Sequence, residues 1–469
     1  MKSFAFLKTY FVPIFILLFV SSCKKEFSNN DYTAYFGGEI ENPSSRYVLF
    51  CKNNKVIDSI QLKDDNTFFI KFDSLTPGLY TFKNNPEYQY VYFDKNDSLM
   101  VNINSKEFDE SMVFCGRGYE KNNFLIEMYL RNEKDRNSLF EAFDYDFDKF
   151  DKTLNKLFVA NQNYYETQKE AVDWNDEFDV YAKASLDFPY FTIKEIYPYI
   201  HKMRTGKDVI EKLPQDYYAF REEIDYNNEP LTNFSPFVIY LSHMLSNMAE
   251  IKYHNHFSNA DLALKTNINK LNITDSLIKN EKVKNIVLNT IAFNYLLEDQ
   301  NMMNNNLFLD TYHKYSTDKS QKNEIVKIGN AIQLLKPNFD LPRVSLVDLN
   351  GKTVSTSNLI TKNTVFFFWS SNAKSHLTEV HKKVIDFKKK YPEFDFIAIN
   401  LHDKEHKWKE TLSNYDFNGI QQYHCDNFED LRAKWAITKI YRTIVVNKDK
   451  KIINAFTGIF EVDFEENLK

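Results

Sequence analysis

The residues of this chain that could do chemistry are few: ten histidines, four cysteines and a scatter of carboxylates. His376 and His381 lie just past an apolar run, Val365–Trp369, that enters a short polar turn at Ser370–Ala373. A helix is expected to begin near Ser375, so both imidazoles would sit in its first two turns. A structural or catalytic metal site needs three or four such ligands in reach, and only one is obvious there. His243, His254 and His256 form a second candidate group, which reads as surface or capping histidines. His402-Asp-Lys-Glu405-His406 matches the inverted zinc-protease string, but it follows a strand ending at Asn400. It reads as a solvated helix start in which Asp403 and Glu405 favour the first turn. No metal ligand set and no cofactor site follow from these patterns. The phosphate-loop and nucleophile-elbow strings are absent from the sequence.

The thiols are Cys23, Cys51, Cys115 and Cys425. Cys51 and Cys115 fall in a strand-rich N-terminal region, and one bond between them or two buried free thiols are both open. Cys425 should lie near a strand end, away from the helix at Ser375. A reactive thiolate needs a helix N-terminus or a neighbouring cation, and no cysteine stands at the start of that helix.

The elements around these residues divide the chain. Residues 30–118 alternate and turn as a β domain, with strands at Tyr47–Cys51, Val56–Leu62, Phe68–Phe72 and Tyr88–Phe93. Residues 119–333 carry apolar positions at three-to-four spacing over Phe124–Leu130, Leu154–Gln168, Pro236–Tyr253, Val283–Leu297 and Asn323–Leu335. Pro189, Pro198, Pro214 and Pro230 are expected to break this region into short helices. Tyr217, Tyr218, Phe220, Phe234 and Tyr240 read as helix-packing core. Residues 334–469 alternate strands and helices: Phe394–Asn400, Asp403–Tyr415, Asn427–Trp435, Thr443–Asn447 and Lys451–Ala455. Fold class is therefore multidomain: an N-terminal β domain, β-sandwich-like in that its Pro77–Tyr80 and Asp97–Leu99 pieces resemble a β-sandwich module, an α-helical middle and a C-terminal α/β domain.

The C-terminal third resembles the membrane-anchored thiol-disulfide reductases of the TlpA type, which implies a thioredoxin-like fold. Phe368, Trp369, Ser371 and Glu379 match that family's Phe-Trp-x-Ser-x-Cys-x-x-Cys-x-x-Glu segment. Pro337, Phe339 and Leu341 match its lead-in, and Asp348, Gly351 and Lys352 its first hairpin. Ala373 and His376 take the two cysteine positions. Tyr441, Arg442 and Thr443 stand where the family has its cis-proline, and Lys450 where it has a turn glycine. The resemblance thus implies a redox-family fold with a degenerate site and no catalytic residue. A contact surface of Trp369, Asn372, His376, Tyr441 and Arg442 is expected instead. The function expected is non-catalytic binding or scaffolding. The alternative is a divergent thiol-disulfide oxidoreductase or peroxidase-related protein in cell redox homeostasis.

The N-terminus adds an address. Lys2 and Lys8 form a basic segment ahead of an apolar stretch, Tyr10–Val20, too short to span a bilayer. Val20-Ser21-Ser22-Cys23 resembles a bacterial lipidation site. The expectation is a signal peptide over 1–22, an acylated Cys23, a tether over 23–29 and a lipid-anchored protein of the cell envelope. Lys24 and Lys25 favour the outer membrane of a Gram-negative bacterium. The membrane and an envelope protein are the expected partners. A net charge of −6 argues against nucleic acid.

Overall fold

The computed structural model describes residues 32–469, apart from 44, 54, 85–86, 252–258, 299–300, 372, 402, 418, 438–439 and 462. Cys23, the signal-peptide and tether segments, Asn372, His254, His256 and His402 therefore lie outside the described residues.

The chain opens with eight strands: β1 (Ala34–Glu41), β2 (Tyr47–Lys52), β3 (Lys55–Gln61), β4 (Thr67–Phe72), β5 (Gly78–Asn84), β6 (Glu87–Phe93), β7 (Ser98–Asn104) and β8 (Val113–Arg117). They form two four-stranded sheets, ordered β4-β1-β7-β8 and β3-β2-β5-β6. Phe36, Phe50, Phe82 and Phe93 are fully buried in the core that both sheets share. Phe36 sets its ring edge-on to Phe82 and Phe93, at 5.3 and 5.9 Å, the arrangement the aromatic quadrupole favours. Cys51 is buried on β2 and Cys115 is exposed on β8. Both thiols are free, so neither a bond nor a pair of buried thiols describes them.

Eight helices follow: α1 (Tyr119–Ser138), α2 (Phe147–Val172), α3 (Asp176–Thr205), α4 (Ser235–Ile251), α5 (Asn259–Leu277), α6 (Glu281–Glu298), α7 (Met302–Tyr315) and α8 (Lys319–Leu334). Two adjacent asparagines of α1 join them to the strands. Asn122 accepts from the Tyr92 amide at 2.7 Å and donates to the Tyr92 carbonyl at 2.9 Å. Asn123 does the same to Phe114, at 2.8 and 3.0 Å. Each side-chain amide thus pairs with one residue of an edge strand, Tyr92 of β6 in one sheet and Phe114 of β8 in the other.

The prolines do not act as the sequence suggests. Helix α3 runs for 30 residues straight through Pro189 and Pro198. A proline inside a helix lacks the N–H that would bond the carbonyl four residues earlier, at a cost of about 3 kcal/mol. Here those carbonyls belong to Ser185 and Lys194. Asn132 of α1 donates to the Ser185 carbonyl at 2.8 Å, and the Tyr217 hydroxyl to the Lys194 carbonyl at 2.9 Å. Neighbouring side chains replace both missing donors, and the helix continues. Pro214 and Pro230 do lie in the irregular stretch between α3 and α4.

The C-terminal domain contains β9 (Ser345–Val347), β10 (Thr353–Ser355), α9 (Thr356–Leu359), β11 (Asn363–Trp369), α10 (Lys374–Lys390), β12 (Phe394–Asn400), α11 (Glu405–Asn414), β13 (Gln421–His424), α12 (Phe428–Trp435), β14 (Arg442–Val446) and β15 (Ile452–Gly458). Its sheet is ordered β10-β9-β13-β12-β11-β14-β15. Strands β11, β12 and β13 are parallel and joined through α10 and α11, while β14 and β15 close the sheet as an antiparallel pair. Strand β11 sits between β12 and β14, and six of its seven residues are buried. Val365, Phe367 and Trp369 face Leu377, Val380 and Val384 of α10. Phe366 and Phe368 face the opposite layer, where Trp435 of α12 meets Ile325 and Ile328 of α8. Arg432 of α12 pairs with Glu324 of α8. One apolar core therefore runs from the helical region into one face of this sheet.

The carbonyl replacements in α3 are testable by urea denaturation. Asn132→Ala should cost about 1–3 kcal/mol, the range for leaving a buried carbonyl unsatisfied. In a Pro189→Ala background the residue-189 amide returns to Ser185, and the same substitution should cost much less.

Candidate functional site

The site is built where β11 ends and α10 begins. Ala373 is the N-cap of α10 and offers no side-chain hydrogen bond to the exposed amides. A helix N-terminus stabilises a thiolate through its macrodipole, but this one carries a methyl group. The position three residues on is His376. Its Nε2–H donates to the Phe368 carbonyl at 3.0 Å, and the ring also hydrogen-bonds the Ile440 backbone. Burial lowers its pKa, against the opposing pull of those two carbonyls. The imidazole is thus a tie between the end of β11 and the loop before β14, with Phe460 6.1 Å from it, ring centre to ring centre.

Two residues expected on a contact surface are instead interior. Trp369 has no exposed area, because it belongs to the alternate set of β11 that faces α10. Its Nε1–H donates to Gln422 Oε1 at 3.0 Å. Gln422 Nε2 in turn donates to His381 Nε2 at 3.1 Å, and His381 Nδ1–H donates to the Leu377 carbonyl at 2.8 Å. His381 packs 4.0 Å from the Phe417 ring centre, and burial pushes its pKa down to about 4. This chain of bonds requires a neutral imidazole.

Arg442 is 8 % exposed. Its guanidinium donates from Nε to the Ala455 carbonyl at 2.7 Å and from Nη1 to the Ala436 carbonyl, and it lies 4.1 Å over the Phe456 ring. Burial lowers its pKa. Ala436 is in the left-handed region, φ +48°, as the C-cap of α12. Arg442 thus ties that cap to β15. Of the expected contact residues that the structure describes, Tyr441 alone is well exposed, at 52 %.

The turn between β11 and α10 depends on a residue the sequence reading placed in a solvated helix start. Asp403 is buried and precedes the N-cap of α11, Lys404. Its carboxylate accepts from Ser370 Oγ at 3.0 Å, Ser371 N at 2.7 Å, Ser371 Oγ at 2.9 Å and Asn400 Nδ2 at 2.5 Å. Asn400 Oδ1 accepts from His424 Nδ1–H at 3.2 Å, and His424 stacks on Trp408. Ser371 was legible as a motif residue; Asp403 was not, because its partners lie 32 and 33 positions away. The turn where the family resemblance places Lys450 keeps its left-handed residue, φ +66° at Lys450.

The remaining thiol of this domain, Cys425, follows β13 with its amide bonded to the Asn400 carbonyl at 3.0 Å. It is 5 % exposed, and burial pushes its pKa up to about 12. A thiol in that state supplies almost no nucleophile at neutral pH. Among the described residues no group of three or more His, Cys, Asp or Glu side chains could hold a metal ion. No helix among them is long and apolar enough to cross a membrane.

Residues 361–452 match the family described as thioredoxin-like, and the C-terminal domain is a thioredoxin-like domain. Solved structures align over part of the chain. A protein from Bacteroides vulgatus, assigned as a thiol-disulfide oxidoreductase, is 20% identical over 29% of this chain and 96% of its own, with a TM-score of 0.27. A domain from Cytophaga hutchinsonii, assigned as a thiol-disulfide isomerase, is 19% identical over 28% and 90%, with a TM-score of 0.25. A thiol:disulfide interchange protein from Bacteroides sp. is 20% identical over 26% and 82%, with a TM-score of 0.23. No curated protein matches the chain.

The neutral state of His381 gives a pH signature. Its folded pKa lies below the unfolded value of 6.5. Stability is therefore full above pH 6.5 and falls as the pH drops toward 4, where the unfolded chain takes up the proton first. The loss from this residue is on the order of 3 kcal/mol. His376 and His424 are lowered too and add to the same slope. In denaturation curves from pH 7.5 to 4, His381→Phe should flatten the dependence relative to the unsubstituted chain.

Proposed function

We propose that this is a lipid-anchored envelope protein whose thioredoxin-like domain, of the TlpA type, binds a partner without redox turnover. The observation that carries the reading is the state of the thiol inventory. Ala373 and His376 occupy the two positions where the family resemblance places cysteines, and Cys425 is buried with its pKa pushed up to about 12. The N-terminal signal segment ending at Cys23 supports export and acylation. Lys24 and Lys25 support the outer membrane of a Gram-negative cell. The strand-rich region then reads as a β-sandwich-like module between the anchor and the helices.

The partner surface is narrower than the sequence implies. Tyr441 and Phe460 are each about half exposed beside His376. They offer an aromatic patch where a reductase would present its cis-proline. Aromatic side chains at an exposed, rigidly held position are the usual anchors of protein contacts. His376 and Arg442 serve this patch by fixing the loop beneath it.

The test is insulin reduction with dithiothreitol as electron donor. The expected result is a rate equal to that of dithiothreitol alone, in the unsubstituted chain and in Cys425→Ser alike. Turnover in the unsubstituted chain that Cys425→Ser abolishes would establish the oxidoreductase alternative instead.

A further inference from the structure

In the helical region one ammonium is set among rings instead of carboxylates. Lys194 of α3 holds its Nζ 4.9 Å from the ring centre of Tyr217, 5.0 Å from that of Phe220 and 5.8 Å from that of Tyr190. Among the described residues no other lysine lies over more than one ring. Tyr190 belongs to the same helix, whereas Tyr217 and Phe220 come from the stretch between α3 and α4. All three rings are fixed independently of the ammonium. The Tyr190 hydroxyl donates to Asn155 Oδ1 at 2.6 Å, and the Tyr217 hydroxyl to the Lys194 carbonyl at 2.9 Å. Phe220 stacks on Phe191 at 4.6 Å.

The polar partners of an ordinary lysine are missing. Among the described residues Nζ forms no hydrogen bond and no ion pair. A primary ammonium carries three donors and is strongly hydrated, so half-burying it without an acceptor costs free energy. Burial lowers the Lys194 pKa accordingly, while Asp151, Asp216 and Glu195 pull it up from beyond ion-pair reach. Those carboxylates favour a group that keeps its positive charge, and so do the ring faces. An N-methyl group meets both conditions: it replaces a donor that has no acceptor with a carbon that packs on a ring, and the charge stays. The spacing suits it as well. Lys149 brings a bare ammonium to 3.5 Å from the Tyr145 ring centre. Tyr217 and Phe220 stand about 1.5 Å further off, the length of one N–C bond.

We infer that Lys194 is a site of N-methylation, and that Tyr190, Tyr217 and Phe220 form the cage that holds its methylammonium. The donor is a methyl sulfonium compound. The amine lone pair attacks the methyl carbon, the carbon–sulfur bond breaks with its electron pair left on a thioether sulfur, and the amine proton passes to water. Two or three such transfers leave the fewest N–H groups without acceptors, so the dimethyl or trimethyl state is the one the cage selects. Acylation of the same amine would discard the charge that the rings and the carboxylates favour.

Peptide mass mapping of the full chain isolated from its own cells tests this. Lys194 is expected to carry two or three methyl groups. A Lys194 that is unmodified in every molecule, or acylated, would overturn the inference. The cage is tested separately by emptying it with Lys194→Ala and following thermal unfolding in tetramethylammonium chloride or ammonium chloride at equal concentration. Tetramethylammonium should bind about tenfold more tightly than ammonium and raise the Tm where ammonium does not. Phe220→Ala in the same background should remove that difference. Equal shifts in the two salts, or a preference that survives Phe220→Ala, would overturn the assignment of the cage. Should Lys194→Ala not fold, the mass map of the unsubstituted chain still decides. The cage lies outside the thioredoxin-like domain, so any of these results leaves the insulin assay to decide the function proposed above.

Discussion

Everything in the C-terminal domain depends on one strand being buried on both faces. Strand β11 gives Val365, Phe367 and Trp369 to one layer and Phe366 and Phe368 to the other. The first layer fixes α10, and with it the position of Ala373 and His376. The second layer carries α12 against α8, so the helical region and the thioredoxin-like domain share a core rather than a flexible joint. Because side chains alternate along a strand, a slip of one residue would exchange the two sets and lose both contacts.

At the end of that strand, structural ties stand where redox chemistry would be. A reductase needs an exposed thiolate in the helix dipole and an open peptide edge opposite. Here His376 bonds carbonyls from both sides of the gap, and Arg442 spends its guanidinium on two more. Asp403 holds the Ser370–Ser371 turn from below with three accepted bonds and accepts a fourth from Asn400. Most of the polar groups there are thus bonded within the domain, while Tyr441 and Phe460 remain about half exposed.

Much of this was legible in the sequence where local pattern decides. The apolar run at 365–369 lies where its pattern places it, and the Asp348–Lys352 hairpin where the family resemblance places it. The failures share a cause, which is dependence on residues distant in the chain. Helix α3 passes through Pro189 and Pro198 because Asn132 and Tyr217 supply donors from elsewhere. Strand β13 is four residues long and largely polar, so it has no apolar signature. Arg442 reads as a surface charge until the carbonyls of Ala436 and Ala455 are found beside it. Asp403 reads as a capping carboxylate until the serines 32 and 33 positions away fold onto it. Trp369 was placed on the surface by the family resemblance, although the alternation of its own strand puts it inside.

The paired asparagines at the start of α1 have a consequence for how the protein behaves in company. An unpaired edge strand is a template on which another chain can grow a sheet. With side-chain amides bonded to Tyr92 of β6 and Phe114 of β8, Asn122 and Asn123 occupy one position on each of these edges. A strand added along β6 or β8 would have to displace α1 at that point, whereas the other two edges, β3 and β4, expose Val56, Ile57 and Phe69.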